Sequence, residues 1–152
     1  MLQMCVFNME FGESILLKKN NDALLVDCGS KSKEEDIPTV FDEIHKKIGN
    51  SKKLAFMLTY FHDDHFKYFS KVANRNGKAD ILYLPWLSFH YEDRKTYVDL
   101  FDVALCLYLL YKNKDLSVSF FLVDKMDSIV HWVKRGGQVH ALKQGDIFNL
   151  DD

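Results

Sequence analysis

The chain has 152 residues, of which 47% are hydrophobic and 28% are charged, a composition typical of one soluble domain with a substantial core. The 20 Lys and Arg residues nearly balance the 22 Asp and Glu residues, so bulk charge does not favour nucleic-acid binding. The start lacks a cationic leader, and the longest uncharged apolar run, 103–111, is shorter than the ~20 residues of a membrane-spanning helix. We therefore expect a cytoplasmic protein without a membrane segment, with its three cysteines reduced.

The first half of the chain shows a clear order of elements. Alternating apolar positions predict three opening strands, over 5–9, 14–18 and 23–26. Apolar residues at helical spacing then predict a helix with Asp36 as its N-cap and Gly49 just past its end. A strand over 54–59 follows, then a loop rich in histidine and aspartate, and then a short helix that stops near Asn76-Gly77.

The second half continues the alternation. The patterns predict a strand over 81–84, a long helix over 92–112, a strand over 118–123, a helix over 128–135, and strands over 139–142 and 147–150. Strands that alternate with helices are typical of an α/β protein. The sequence therefore predicts one α/β domain over 1–152, with a mixed β-sheet flanked by helices.

The loop after the strand over 54–59 holds the residues that suggest chemistry. His62, Asp64 and His65 lie within one turn, and imidazole with carboxylate suits zinc, manganese or iron. No cysteine lies nearby, so the pattern favours a catalytic ion over a structural one. An alternative is that Asp63 or Asp64 only caps the following helix, which leaves the two histidines unexplained.

The other histidines are not expected to bind metal. His90 is the best supplementary candidate, but its place after Trp86-Leu87 is more typical of a solvent-facing loop. Three others fall on predicted helices or a strand, where surface or half-buried positions are ordinary: His45, His131 and His140.

The order of these features resembles the metallo-β-lactamase superfamily, and within it the hydrolase-like domain of DNA-uptake proteins of the ComEC type. Three segments carry the resemblance in order: Gly12–Leu17, Leu24–Gly29, and Leu58-Thr59 leading into the histidine loop. The segments 137–139 and 145–147 also look like later strands of that family. The resemblance implies the amino-terminal half of an αββα sandwich, incomplete at its carboxyl end.

The family's signature, His-x-His-x-Asp-His, falls on residues 60–65, with Tyr60 where the first metal histidine would be. By this likeness His62 serves a first metal site, while Asp64 and His65 serve a second. A phenol must lose its proton to bind metal well, so Tyr60 weakens the first site. Asp27 resembles the aspartate that orients a metal-binding histidine, although an Asx turn before Gly29 explains it equally well.

The resemblance implies a hydrolase that uses one or two ions, zinc or else manganese or iron, to activate water against a small-molecule ester or a phosphodiester. Asp64 would act as ligand or as base. Two alternatives stay open. The chain is either a degenerate member of the fold that binds without turnover, or a fragment without activity, whose exposed core a second copy or a second protein would cover.

Overall fold

The computed structural model describes residues 1–36, 39–60, 62–69, 71–72, 81–85, 88–91, 96–99, 108–109, 112–113, 123, 126–127, 129–130, 133–134, 136–142 and 145–147. Six strands within this part form one sheet, in the order β1-β2-β3-β4-β5-β8. Their bounds are β1 Leu2–Val6, β2 Ile15–Lys19, β3 Asp22–Val26, β4 Lys53–Met57, β5 Ile81–Pro85 and β8 Gln138–Leu142. Two further strands, β6 Ser88–Tyr91 and β7 Thr96–Asp99, form an antiparallel pair.

The sheet is mixed, and its two halves differ in how the strands are connected. β1 pairs antiparallel with β2, and β2 pairs antiparallel with β3, as a short meander allows. β3, β4, β5 and β8 run parallel to one another. Parallel strands need a crossover connection, and the connection from β3 to β4 contains helix α1, Val40–Ile48. The predicted mixed sheet of an α/β protein is therefore confirmed.

Helix α1 packs on the sheet through an apolar face made by Phe41, Ile44 and Ile48, all buried. It begins after Thr39 rather than after Asp36, which lies in a short 3-10 turn over Glu34–Asp36, so the predicted N-cap was wrong. It ends at Gly49, whose φ of 54° explains the glycine there.

The core lies on the face of the sheet that α1 covers. Its central members are alternate residues of neighbouring strands, which point to the same side of the sheet: Leu16, Ala23, Leu25, Leu54, Phe56, Leu82 and Leu84. Aromatic residues that follow β4 complete the packing, with Phe69 edge-on to Phe56 at a centroid distance of 5.1 Å. This core fixes the positions of the strand ends that carry the polar residues described below.

The edge strand β1 differs from its prediction. The strand covers Leu2–Val6 instead of 5–9, and Phe7 and Met9, which follow its end, are buried in the core. Leu2, Met4 and Val6 share one side of β1 and stay 57%, 67% and 69% exposed. The edge of the sheet therefore carries an apolar stripe.

Two predictions for the second half were wrong where the structure describes them. Thr96–Asp99 is strand β7 instead of part of a long helix, because Thr, Tyr and Val are residue types that favour strands, and the backbone of this segment pairs antiparallel with β6. Val123 is helical instead of the end of a strand. Residues 129–130 and 133–134 are helical as predicted, whereas the predictions for 76–77, 100–107, 118–122 and 148–150 lie outside the described residues.

Among the described residues, no helix combines the length and the apolarity needed to cross a membrane.

Candidate metal site

The polar residues of interest meet at the carboxyl ends of β3 and β4. Asp27 directly follows β3, and Thr59 follows β4 by two residues. The turn that holds the two histidines then leads into the short helix α2, Asp63–Phe66. Since β3 and β4 are parallel neighbours, their carboxyl ends lie at one edge of the sheet, where α/β proteins commonly place ligand-binding residues.

Asp27 is the buried anchor of this edge. Its Oδ1 accepts a hydrogen bond from the Thr59 backbone N–H at 2.7 Å, and its Oδ2 accepts one from the Thr59 hydroxyl at 2.5 Å. Its backbone has φ of 54°, a left-handed conformation that aspartate adopts more readily than most residues. Both carboxylate oxygens of Asp27 are therefore engaged within the protein.

His65 also contacts this carboxylate. Its Nδ1 lies 3.0 Å from Asp27 Oδ2 and 3.2 Å from the Thr59 hydroxyl, and its side chain is 18% exposed. Because a carboxylate only accepts hydrogen bonds, Nδ1 carries the ring proton in this arrangement. Nε2 then keeps its lone pair, which is the state that a metal-binding imidazole needs.

Asp64 and His62 form a second contact in the same turn. His62 Nδ1 lies 3.3 Å from Asp64 Oδ1, yet this oxygen is buried and makes no hydrogen bond with correct geometry to any described residue. The other oxygen of Asp64 lies 3.6 Å from Lys31 Nζ. A buried carboxylate oxygen without a hydrogen bond is costly unless a water molecule or a cation satisfies it, and the Asp64 side chain is 25% exposed.

The surroundings keep Asp64 ionised. Desolvation acts to raise the pKa of the Asp64 carboxyl, but its own backbone N–H, the Lys31 charge and the two histidine rings act against it, and the net pKa is lowered. The ionised carboxylate contacts His62, but the structure does not bring the ligand atoms of His62, Asp64 and His65 together within reach of one ion. Among the described residues, the group that lies close enough is Glu13, Asp27 and His65.

Tyr60 lies among the same rings. Its ring stacks on His62 with centroids 5.4 Å apart and meets His65 edge-on at 6.0 Å, and the residue is 51% exposed. The phenol therefore packs against both imidazoles at the mouth of the turn.

Main-chain hydrogen bonds fix the turn to the sheet. The Glu13 N–H donates to the Asp64 carbonyl at 3.0 Å, and the Cys28 N–H donates to the His65 carbonyl at 2.6 Å. The Tyr68 N–H donates back to the Cys28 carbonyl at 2.9 Å. The segments before β2 and after β3 thus hold the histidine turn between them.

Gly29 allows this close approach. A side chain at position 29 would overlap the backbone of Asp63, Asp64 and His65, so only hydrogen fits there. The N-cap of α2 is His62, whose side chain makes no capping hydrogen bond. The alternative prediction, that Asp63 or Asp64 is the N-cap of this helix, is therefore wrong.

One further acidic residue joins the site, and the sequence did not single it out. Glu13, Asp27 and His65 each offer a ligand atom, and these three atoms lie within 4.8 Å of one another. Glu13 Oε2 lies 3.9 Å from His65 Nδ1, and the Glu13 side chain is 63% exposed. The sequence did contain a signal for Glu13, which is its position just before β2. Because β2 is antiparallel to β3, the start of β2 lies beside the end of β3, where Asp27 is found.

Cys28 stands next to Asp27 but is unsuited to bind metal. Burial raises the pKa of its thiol strongly, and the charge of Asp27 raises it further. The thiol therefore stays protonated, whereas metal binding needs the thiolate.

The other histidines lie elsewhere. His90 belongs to β6 instead of a loop, His45 lies on α1, and His140 is exposed on β8 near Tyr83. His131 and Trp86 lie outside the described residues.

No protein-family model matches this chain, and no curated protein matches its sequence.

Proposed function

We propose that the chain is a metal-dependent hydrolase of the metallo-β-lactamase kind, in which His62, Asp64 and His65 hold a divalent ion. The observation that carries the proposal is the buried Oδ1 of Asp64, which lacks a hydrogen bond and lies 3.3 Å from His62 Nδ1. A cation between these groups would satisfy both of them. The mixed sheet, with its meander followed by parallel strands, supports the likeness to the amino-terminal half of the family's sandwich.

Two donor sets compete for the ion. The first is His62, Asp64 and the Nε2 atom of His65, with Asp27 fixing the His65 ring through Nδ1. The second is Glu13, Asp27 and Nδ1 of His65. Only the second set has its ligand atoms together in the structure, and the first needs the exposed His62 side chain to turn toward His65. We favour the first, because Asp27 already accepts two hydrogen bonds from Thr59 and one from His65.

Three protein ligands with an open position are typical of catalytic zinc sites. A bound ion of this type lowers the pKa of water toward ~7 and polarises the scissile bond. The protein's own contribution is to hold His65 in one tautomer through Asp27, and to present the ionised Asp64 as ligand or as base. The substrate class we propose is an ester or a phosphodiester.

A second candidate is a binding module of the same fold without turnover. Tyr60 favours it, because the neutral phenol packs on His62 where the family's signature has a metal histidine. Such a site would still bind one ion through the remaining three residues but would not hydrolyse esters.

The experiment that tests the proposal is metal analysis of the purified protein, loaded with zinc or manganese and then dialysed. We expect about one ion per chain, lost in His62→Ala and kept in His140→Ala, an exposed histidine on β8 that serves as the control. Retention of the ion in Glu13→Gln would support the first donor set over the second.

Hydrolysis of bis(p-nitrophenyl) phosphate by the loaded protein separates the two candidates. Turnover that disappears in His62→Ala supports the hydrolase, whereas stoichiometric metal without turnover supports the binding module. Absence of metal from the wild-type protein would contradict both.

A further inference from the structure

Lys31 lies at the rim of the proposed metal site. Its Nζ is 3.6 Å from Asp64 Oδ2, while its side chain remains 61% exposed. The Lys31 backbone N–H donates to the Phe11 carbonyl at 3.0 Å, so the base of this side chain is fixed to the segment before β2. A lysine anchored at its backbone, with a flexible stem and an exposed ammonium, can either contact Asp64 or turn into solvent.

The contact matters because Asp64 has two oxygens with different surroundings. Oδ1 faces His62 and makes no hydrogen bond with correct geometry to any described residue, whereas Oδ2 faces the Lys31 ammonium. The positive charge of Lys31 therefore partly offsets the negative charge of Asp64, which would attract a divalent ion. An ion and an ammonium that share one carboxylate repel each other.

We propose that Lys31 is an internal competitor for the cation, which pairs with Asp64 in the metal-free protein and lowers the affinity of the site for divalent ions. This inference rests on the proposed function, because it concerns the same three ligands. Lys31 thus sets metal affinity without being a ligand. Since the contact is exposed, the competition weakens as salt screens it.

The test compares wild-type protein with Lys31→Gln, which removes the charge and keeps most of the length of the side chain. Lys33→Gln is the matched control, because Lys33 lies two residues away, is 80% exposed and pairs with Glu35 instead. Affinity for Zn²⁺ is measured by isothermal titration calorimetry, and Co²⁺ absorption reports the ligand geometry. Circular dichroism checks that all three proteins are folded.

We expect Lys31→Gln to bind Zn²⁺ about three- to ten-fold more tightly than wild type, and Lys33→Gln to bind like wild type. We also expect the difference to shrink toward zero at molar salt, where the screening length is only ~3 Å.

Two results would overturn the inference, and they differ in what else they refute. If wild type binds metal and Lys31→Gln binds it equally or more weakly, Lys31 is not a competitor, although the proposed function stands. If neither protein binds metal, the proposed function fails together with this inference.

Discussion

The hydrogen bond between Asp27 and His65 leads to a sharp prediction for Asp27→Asn. Asparagine tolerates the φ of 54° at this position, and its oxygen can still accept the N–H of Thr59. Its amide nitrogen then replaces Oδ2 and faces His65 Nδ1, now as a donor. His65 must accept with Nδ1 and therefore carry its proton on Nε2, the atom that we propose as the metal ligand.

The magnitude follows from the groups that change. The Thr59 hydroxyl can turn to accept instead of donate, so the free energy of unfolding should fall by only about 1–2 kcal/mol. Loss of the partner that orients a metal-binding histidine typically lowers metal affinity by about 10- to 100-fold, or about 1.4–2.7 kcal/mol. Asp27→Asn should therefore reduce the free energy of metal binding by more than it reduces the free energy of unfolding.

Zinc titration calorimetry of both proteins measures the affinity, and urea unfolding measures the stability. Long-range ¹H–¹⁵N spectra of the histidines report the tautomer without any metal, and we expect His65 to change from Nδ1–H to Nε2–H. Asp42→Asn, an exposed change on α1, is the control. Zinc affinity in Asp27→Asn equal to that of wild type, in a folded protein, would refute the reasoning.

Three further predictions concern the turn, the charge of Asp64 and the sheet edge. Gly29→Ala should lower the free energy of unfolding by more than about 2 kcal/mol, because its Cβ meets backbone. Gly145→Ala, with φ of 94° and open space, should cost only about 1 kcal/mol, and equal losses in urea unfolding would contradict the packing argument. Because the pKa of Asp64 is lowered on folding, its charge stabilises the fold above its ordinary pKa of 3.8, and this contribution is lost as pH falls through the lowered value. The stability difference between wild type and Asp64→Asn should thus shrink in urea unfolding as the pH falls below 3.8, and a difference independent of pH would count against it. Finally, the apolar stripe on β1 should cause self-association that Met4→Lys abolishes, whereas sedimentation of wild type as a monomer at every concentration would exclude this.

The parallel part of the sheet was predictable because its strands are short apolar runs bounded by turn residues. β3, β5 and β8 lie within one residue of their predicted bounds at each end. The region after β5 was not predictable in the same way. Apolar residues over 92–112 fit a helix by spacing, but Thr96–Asp99 pairs with β6 in a hairpin, and the periodicity of the segment by itself does not contain this pairing.

The residues of the candidate site that are neighbours in the chain could be predicted from the sequence. Asp27, which is distant from them in the chain, was suggested only by the resemblance to the family. His62, Asp64 and His65 are neighbours in the chain, so their residue types alone suggested a ligand set. Glu13 and Lys31 were missed because each reaches the turn through tertiary contacts. Their proximity depends on the register between β2 and β3. It also depends on the close approach of the histidine turn to residue 29, which only a glycine permits.

The main-chain bonds that tie the histidine turn to its neighbours have a consequence for binding. The carbonyls of Asp64 and His65 are each held by an N–H from a different segment of the chain, so these two residues inherit the rigidity of the strands. Their ordering entropy is lost when the sheet folds, and little of it remains to be lost when a ligand arrives. Preorganisation of this kind would lower the entropy cost of binding an ion at the proposed site.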